Sequence, residues 1–168
     1  MKGTLFVLLA LGPGLPAIAQ QLRRLAGEHY GFRDVQLGSD TSALAGRVLE
    51  SRFRATAYYR RPGENLRIGG ATAKTIRYYY YKGKLSIILV TTEGNANANA
   101  LRAALENEYG WGKPETPYPH NYFWHTRRVK RAFKLRPDNE TGDLLIMSRE
   151  INDQMARDDM AGPGKSKR

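Results

Sequence analysis

Cysteine is absent from this chain of 168 residues. No disulfide can staple it, no thiolate can hold a metal or attack a substrate, and no thiol can accept a lipid. Acidic residues are scarce, with 16 Asp and Glu against 27 Lys and Arg, a formal net charge of +11. Such an excess favours acidic partners, whether nucleic acid, anionic lipid or glycan, or acidic protein, and says nothing about fold. Histidine is limited to His29, His120 and His125. The last two stand five apart, which on a strand sends them to opposite faces and makes them poor joint metal ligands. There is no HExxH pair and no Gly-x-Ser-x-Gly elbow, and three residues separate Lys74-Thr75 from Gly70, so no phosphate loop forms. The carboxylates Glu93, Glu106, Glu108, Asp138 and Asp143 are scattered, most at turns or on helix surfaces. The expectation is no catalytic residue, no metal and no cofactor, hence no enzyme. An envelope hydrolase assembled from distant residues is the least favoured reading.

What is present begins with "MKGTLFVLLALGPGLPAIAQ". Lys2, a short apolar run from Leu5 to Leu11, helix-breaking Gly12, Pro13, Gly14 and Pro16, and the small residues Ala17 and Ala19 read in order as a secretory leader over residues 1–19. The run is too short to span a bilayer and no second one approaches that length, so neither a transmembrane segment nor a lipid anchor is expected. The expectation is a secreted protein, periplasmic or extracellular, with a single α+β domain over 20–160 and a flexible basic tail over 161–168.

Within the domain, Phe32 to Leu37 reads as a small strand. Ser39 or Asp40 is placed to cap a helix running through Leu49, with Leu44, Val48 and Leu49 on its apolar side. "FRATAYYRR" alternates, giving a strand from Phe53 to Arg60 that sets Phe53, Ala55, Ala57 and Tyr59 against Arg54, Thr56, Tyr58 and Arg60. Pro62-Gly63 marks a turn, and "ENLRIGG" supplies a short strand. "NANANALRAALENEYG" reads as a helix capped by Asn95 or Asn97, with Leu101 and Leu105 one turn apart and Gly110 as its stop. A proline-rich loop follows, then strands in "YFWHTRRVKRAFKLRP", a turn at Asn139 to Gly142, a strand from Asp143 to Arg149 and a short helix from Glu150 to Met160. Turns rather than helices join the strands, so the sheet is antiparallel with helices packed on one face. The spacing of the two longer helices suggests two tandem helix-plus-strands units.

The stretch "TIRYYYYKGKLSIILVTTEG" is a hairpin turning at Lys82-Gly83. Pairing outward from the turn sets Tyr81 against Lys84, Tyr80 against Leu85, Tyr79 against Ser86, Tyr78 against Ile87 and Ile76 against Leu89. One face then holds Ile76, Tyr78, Tyr80, Leu85, Ile87 and Leu89, the core side; the other holds Arg77, Tyr79, Tyr81, Lys84, Ser86 and Ile88. In "TRRVKRAFKLR" Val129, Phe133 and Leu135 face inward, with Arg131 an exception, while Arg128, Lys130, Lys134 and Arg136 face outward. Three strands thus share one parity. The candidate ligand surface is Arg54, Tyr58, Arg77, Tyr79, Tyr81, Lys84, Arg128, Lys130, Lys134 and Arg136, a basic, tyrosine-bearing sheet face suited to an anionic envelope polymer or an acidic partner. The alternative is a protein-protein inhibitor or envelope-assembly accessory acting through aromatic loops, with Trp111, Tyr118, Tyr122 and Trp124 as anchors.

The segments "GFRDVQLGSDTSAL", "IGGATAKTIRYYYYKGKL" and "NALRAALENEYG", following a leader, resemble those of small uncharacterised exported proteins of Gram-negative bacteria. The element order is similar to β-lactamase-inhibitor-like and outer-membrane-assembly accessory folds. That resemblance implies architecture alone.

Overall fold

The computed structural model describes residues 30–136 and 140–162, apart from the side chains of 118 and 119. The expected leader over residues 1–19 and most of the basic tail lie outside the described residues. The protein is α+β, built on one nine-stranded antiparallel sheet. A two-stranded ribbon, β1 (Gly31–Phe32) and β2 (Val35–Gln36), precedes it. The sheet is formed by β3 (Val48–Phe53), β4 (Thr56–Arg60), β5 (Arg67–Ile68), β6 (Ala71–Tyr81), β7 (Lys84–Glu93), β8 (Lys113–Glu115), β9 (Tyr118–His125), β10 (Val129–Leu135) and β11 (Thr141–Ser148). Helix α1 (Asn95–Tyr109) follows β7 and helix α2 (Arg149–Ala161) follows β11. The strand order is β3-β4-β6-β7-β11-β10-β9-β8, with β5 beside β6. Strands β7 and β11 are therefore central.

Those two strands carry apolar side chains on both faces. Val90 pairs with Leu144 and Ile88 with Ile146, all buried, while Leu89 pairs with Leu145 and Ile87 with Met147, all half-buried. The buried set joins Ala57, Tyr59, Ile76, Tyr78 and Phe133 on one face, and Ala98, Leu101 and Leu105 of α1 close over it. Gly142 lets α1 approach, since a Cβ there would meet the Thr92 Oγ1 at 2.9 Å and the Ala98 Cβ at 3.0 Å.

The helix expected from Ser39 or Asp40 through Leu49 is not formed. A 3-10 turn covers Thr41–Ala43, and the chain is already in β3 at Val48. Residues 38–40 instead dock on β7: the Gly38 N–H donates to the Leu85 carbonyl (2.7 Å), and the Leu85 N–H to the Ser39 carbonyl (2.9 Å). Asp40 makes no capping bond and instead pairs with Lys84 at 2.9 Å. The first strands thus lack the leading helix a tandem pattern requires. The strand expected over Phe53–Arg60 is likewise a hairpin, because Arg54, at φ 52°, and Ala55 turn the chain between β3 and β4. Phe53 is 63% exposed rather than core.

The β6–β7 turn falls at Lys82 (φ 48°) and Gly83 (φ 78°), and Tyr81 pairs with Lys84 and Tyr80 with Leu85, as expected. Beyond these, a bulge shifts the register, so Tyr79 opposes Ile87 and Tyr78 opposes Ile88. Ser86 is the extra residue, and its hydroxyl donates to the Tyr79 carbonyl at 2.8 Å, occupying the gap in the ladder. The consequence reverses part of the expected parity. Ile88 and Val90 enter the core, while Ile87 and Leu89 turn outward.

The helices do not share one face. Helix α1 covers the core side, whereas the Tyr81 hydroxyl donates to Asp158 of α2 at 2.6 Å, and Tyr81 belongs to the outward set with Tyr79. Ser148 caps α2 through the Ile151 N–H. Among the described residues, no helix is long and apolar enough to cross a membrane.

Candidate binding face

Direct pairing across antiparallel strands places opposed side chains on the same face. One outward row runs Tyr58, Tyr79, Ile87, Met147, Lys130, His125 across β4, β6, β7, β11, β10 and β9. The next row runs Arg77, Leu89, Leu145, Ala132, Phe123. The centre of the outer face is consequently apolar, and charge stands at its two ends.

The ten residues proposed from the sequence divide into groups. Tyr58, Arg77, Tyr79, Tyr81, Lys84, Lys130 and Lys134 do lie on outward positions. Arg54 is at the β3–β4 turn, its guanidinium 5.2 Å from the Phe53 ring centroid. Arg128 is in the β9–β10 turn, with its guanidinium 3.9 Å from the Tyr30 ring centroid. Arg136 lies beyond β10 and pairs with Asp143 at 2.8 Å. Several outward cations are already neutralised. Glu50 pairs with both Arg60 (3.5 Å) and Arg77 (3.1 Å), Asp40 with Lys84, and Asp158 with Lys82 (2.8 Å). The Tyr58 and Tyr79 rings meet edge to face at 4.7 Å, and Tyr81 is held by Asp158 and buried. The β4–β6 end is therefore closed on itself.

The β9–β10 end is different. Phe123 and His125 stack with centroids 5.5 Å apart and rings 6° from parallel. The Lys130 ammonium lies 5.1 Å from the Phe123 centroid. Lys113 of β8 pairs in register with Phe123, and Arg149 of α2 reaches the Thr126 carbonyl at 3.1 Å. Lys113, Lys130, Lys134 and Arg149 form no ion pair among the described residues. Partial burial, then the positive charges of Lys130, Arg149 and Lys113, holds the His125 imidazole below its ordinary value. Proton binding by His125 is therefore disfavoured first by burial and further by the surrounding cations. The folded state takes up that proton less readily than the unfolded chain, so His125's contribution to stability is present above the free-imidazole value of about 6.5 and is lost as pH falls below it through the lowered folded value. His125, Phe123, Lys113 and Arg149 are absent from the sequence-derived set. The alternation did place Lys130, and His125 is its direct partner, but the grouping needs four separate elements.

The aromatic-loop set is also redistributed. Trp111 is 86% exposed on the loop after α1. Trp124 is instead buried on the core face, opposite Arg131, and its indole N–H donates to the Gly110 carbonyl at 2.7 Å. Tyr122 packs against the core beneath Arg102, whose guanidinium is 5.3 Å from the ring centroid. The Tyr118 side chain lies outside the described residues. Among the described residues, no group of three or more His, Asp or Glu is placed to hold a metal ion. No family model matches the chain, nor does any curated protein or solved structure.

Proposed function

We propose that this is an exported, non-enzymatic binding protein whose outer sheet face engages an acidic protein partner. The observation that carries the reading is one continuous face on which cations without an ion pair among the described residues and a stacked Phe123–His125 pair adjoin an apolar strip of half-buried Leu89 and Leu145 beside buried Ala132. A polymer of fixed negative charge has no use for the apolar strip. A polypeptide with acidic and apolar side chains can satisfy both parts: rim cations steer and align it, and the strip buries its apolar groups. Secretion is supported by the leader pattern and is part of the proposal.

The test uses an amphipathic peptide alternating Glu and Leu, with heparin as the polymer comparison. The peptide is expected to bind more tightly than heparin at physiological ionic strength, where screening removes most of a purely surface-charge interaction. Lys113→Glu, Lys130→Glu and Arg149→Glu together should weaken peptide binding at least about tenfold. The triple variant Arg47→Glu, Arg52→Glu, Arg157→Glu changes charge equally elsewhere and should bind nearly as the parent does. Equal retention of heparin and peptide, or equal loss in both variants, contradicts the proposal. A second reading rests on Trp111 alone as the exposed anchor of an inhibitor-like loop, and Trp111→Ala abolishing peptide binding would favour it.

A further inference from the structure

A separate cavity opens on the core side of the sheet, away from the outer face. Its volume is about 290 Å³, and it lies between the N-terminal ribbon, β5, the C-terminal end of α1 and the floor strand β11. Leu105, Leu144 and Ile146 line its buried interior, with Phe32 and Ile68 nearer the mouth. Arg33, Arg67, Glu108 and Tyr109 supply its polar groups.

The polar groups are set with a definite bias. Arg67 is fixed at both backbone ends: its N–H donates to the Asn65 side-chain oxygen at 2.9 Å, and its carbonyl accepts from Arg33 at 2.8 Å. Arg33 is itself tied to Glu64 at 3.3 Å and to the Asn65 carbonyl. The Arg67 guanidinium is exposed and has no carboxylate partner among the described residues, so a firmly anchored backbone presents an available fork at the mouth. Behind the lining residue Tyr109, the buried Arg131 guanidinium lies 4.3 Å from its ring centroid. Burial, with the neighbouring Glu108 carboxylate, pushes the Tyr109 hydroxyl well above its usual range, so it stays protonated and able to donate at neutral pH. Two arginines, Arg33 and Arg67, thus line the cavity with one carboxylate, Glu108, and Arg33 is itself paired with Glu64.

From this geometry we infer a binding site for a small monocarboxylate with an apolar tail. The volume suits a ligand of roughly ten to fifteen non-hydrogen atoms, at the small end of ligand pockets. The tail lies on Leu105, Leu144 and Ile146, and the carboxylate meets the Arg67 fork, which matches the planar, bidentate geometry of a carboxylate. An ammonium head group would face the same arginines and be repelled.

Octanoate and octylamine are suitable probes, because they share a tail and differ in head-group charge. Titration of the purified chain, followed by calorimetry and by amide chemical shifts, should show saturable octanoate binding with shifts at residues 105–109 and 144–146. Octylamine should bind at least about tenfold more weakly. Arg67→Glu is expected to lower octanoate affinity about tenfold with an unchanged melting temperature, while Arg67→Lys keeps the preference for octanoate. The outer-face variant Lys113→Glu, Lys130→Glu, Arg149→Glu should bind octanoate like the parent, which separates this site from the proposed protein-binding face. No saturable octanoate binding, equal binding of octylamine, or an unchanged affinity in Arg67→Glu would overturn the inference.

Discussion

Replacing Glu64 with alanine is expected to destabilise the fold by about 3 kcal/mol, measured by urea unfolding. The Glu64 side chain is only 5% exposed and accepts the Tyr78 hydroxyl at 2.5 Å and Arg33 at 3.3 Å. Its removal leaves a fully buried phenol without its acceptor and takes from Arg33 its carboxylate partner, leaving only the Asn65 and Arg67 carbonyls. Because Arg33 keeps some contact with water, the lower end of the range for a broken buried pair applies. Tyr78→Phe removes one charge-assisted bond and should cost about 1.5–3 kcal/mol. Tyr80 provides the internal control, since it is equally buried but its hydroxyl has no hydrogen-bond partner among the described residues. The Ser39 hydroxyl donates to the Gln36 carbonyl at 2.6 Å and forms no hydrogen bond with Tyr80. Tyr80→Phe should therefore change stability by less than about 0.5 kcal/mol. Equal costs for the two tyrosines would refute the assigned network. Burial and the Glu64 carboxylate both push the Tyr78 phenol upward, so the folded state holds that proton more tightly than the unfolded chain. The stability this gives is complete below the free-tyrosine value of about 10 and declines as pH rises beyond it.

Leu101→Ala is expected to cost about 2–5 kcal/mol, and Met155→Ala less than about 1.5 kcal/mol. Leu101 is fully buried in the main core between α1 and the sheet, while Met155 of α2 is only half-buried. Helix α1 is thus a structural layer that cannot be trimmed without leaving a cavity. Helix α2 contributes one buried apolar residue, Ile151, and is fastened chiefly by polar contacts such as Asp158 to Tyr81. Comparable losses from the two substitutions would show that α2 carries more of the core than its burial indicates.

Local pattern revealed much of the framework. Lys82-Gly83 fixed the hairpin and its first two pairs, and the spacing of Leu101 and Leu105 located the buried stripe of α1. The bulge at Ser86 was not legible, because the run Ile87 to Val90 is apolar at every position and gives no parity signal. The same ambiguity concealed the apolar centre of the outer face, since β11 is also apolar on both sides. The helix expected after Ser39 had suitable capping residues, but Asp40 is recruited by Lys84, far along the chain. Alternation on β10 correctly separated Lys130 and Lys134 from Val129 and Phe133. It carried no information on which cations would be neutralised, because Glu50, Asp40 and Asp143 arrive through tertiary contacts. The aromatic density around Trp124 suggests a loop anchor, and only its pairing opposite buried Arg131 shows that it points inward.

The most direct test of the proposed binding face is an NMR titration of His125 in the free chain and with the Glu–Leu peptide. In the free protein the imidazole should titrate below the ordinary value of about 6.5, and bound carboxylates should move it upward while shifting Phe123, Ala132 and Leu145. An imidazole that titrates normally in the free chain, or one unmoved by saturating peptide, would contradict the account.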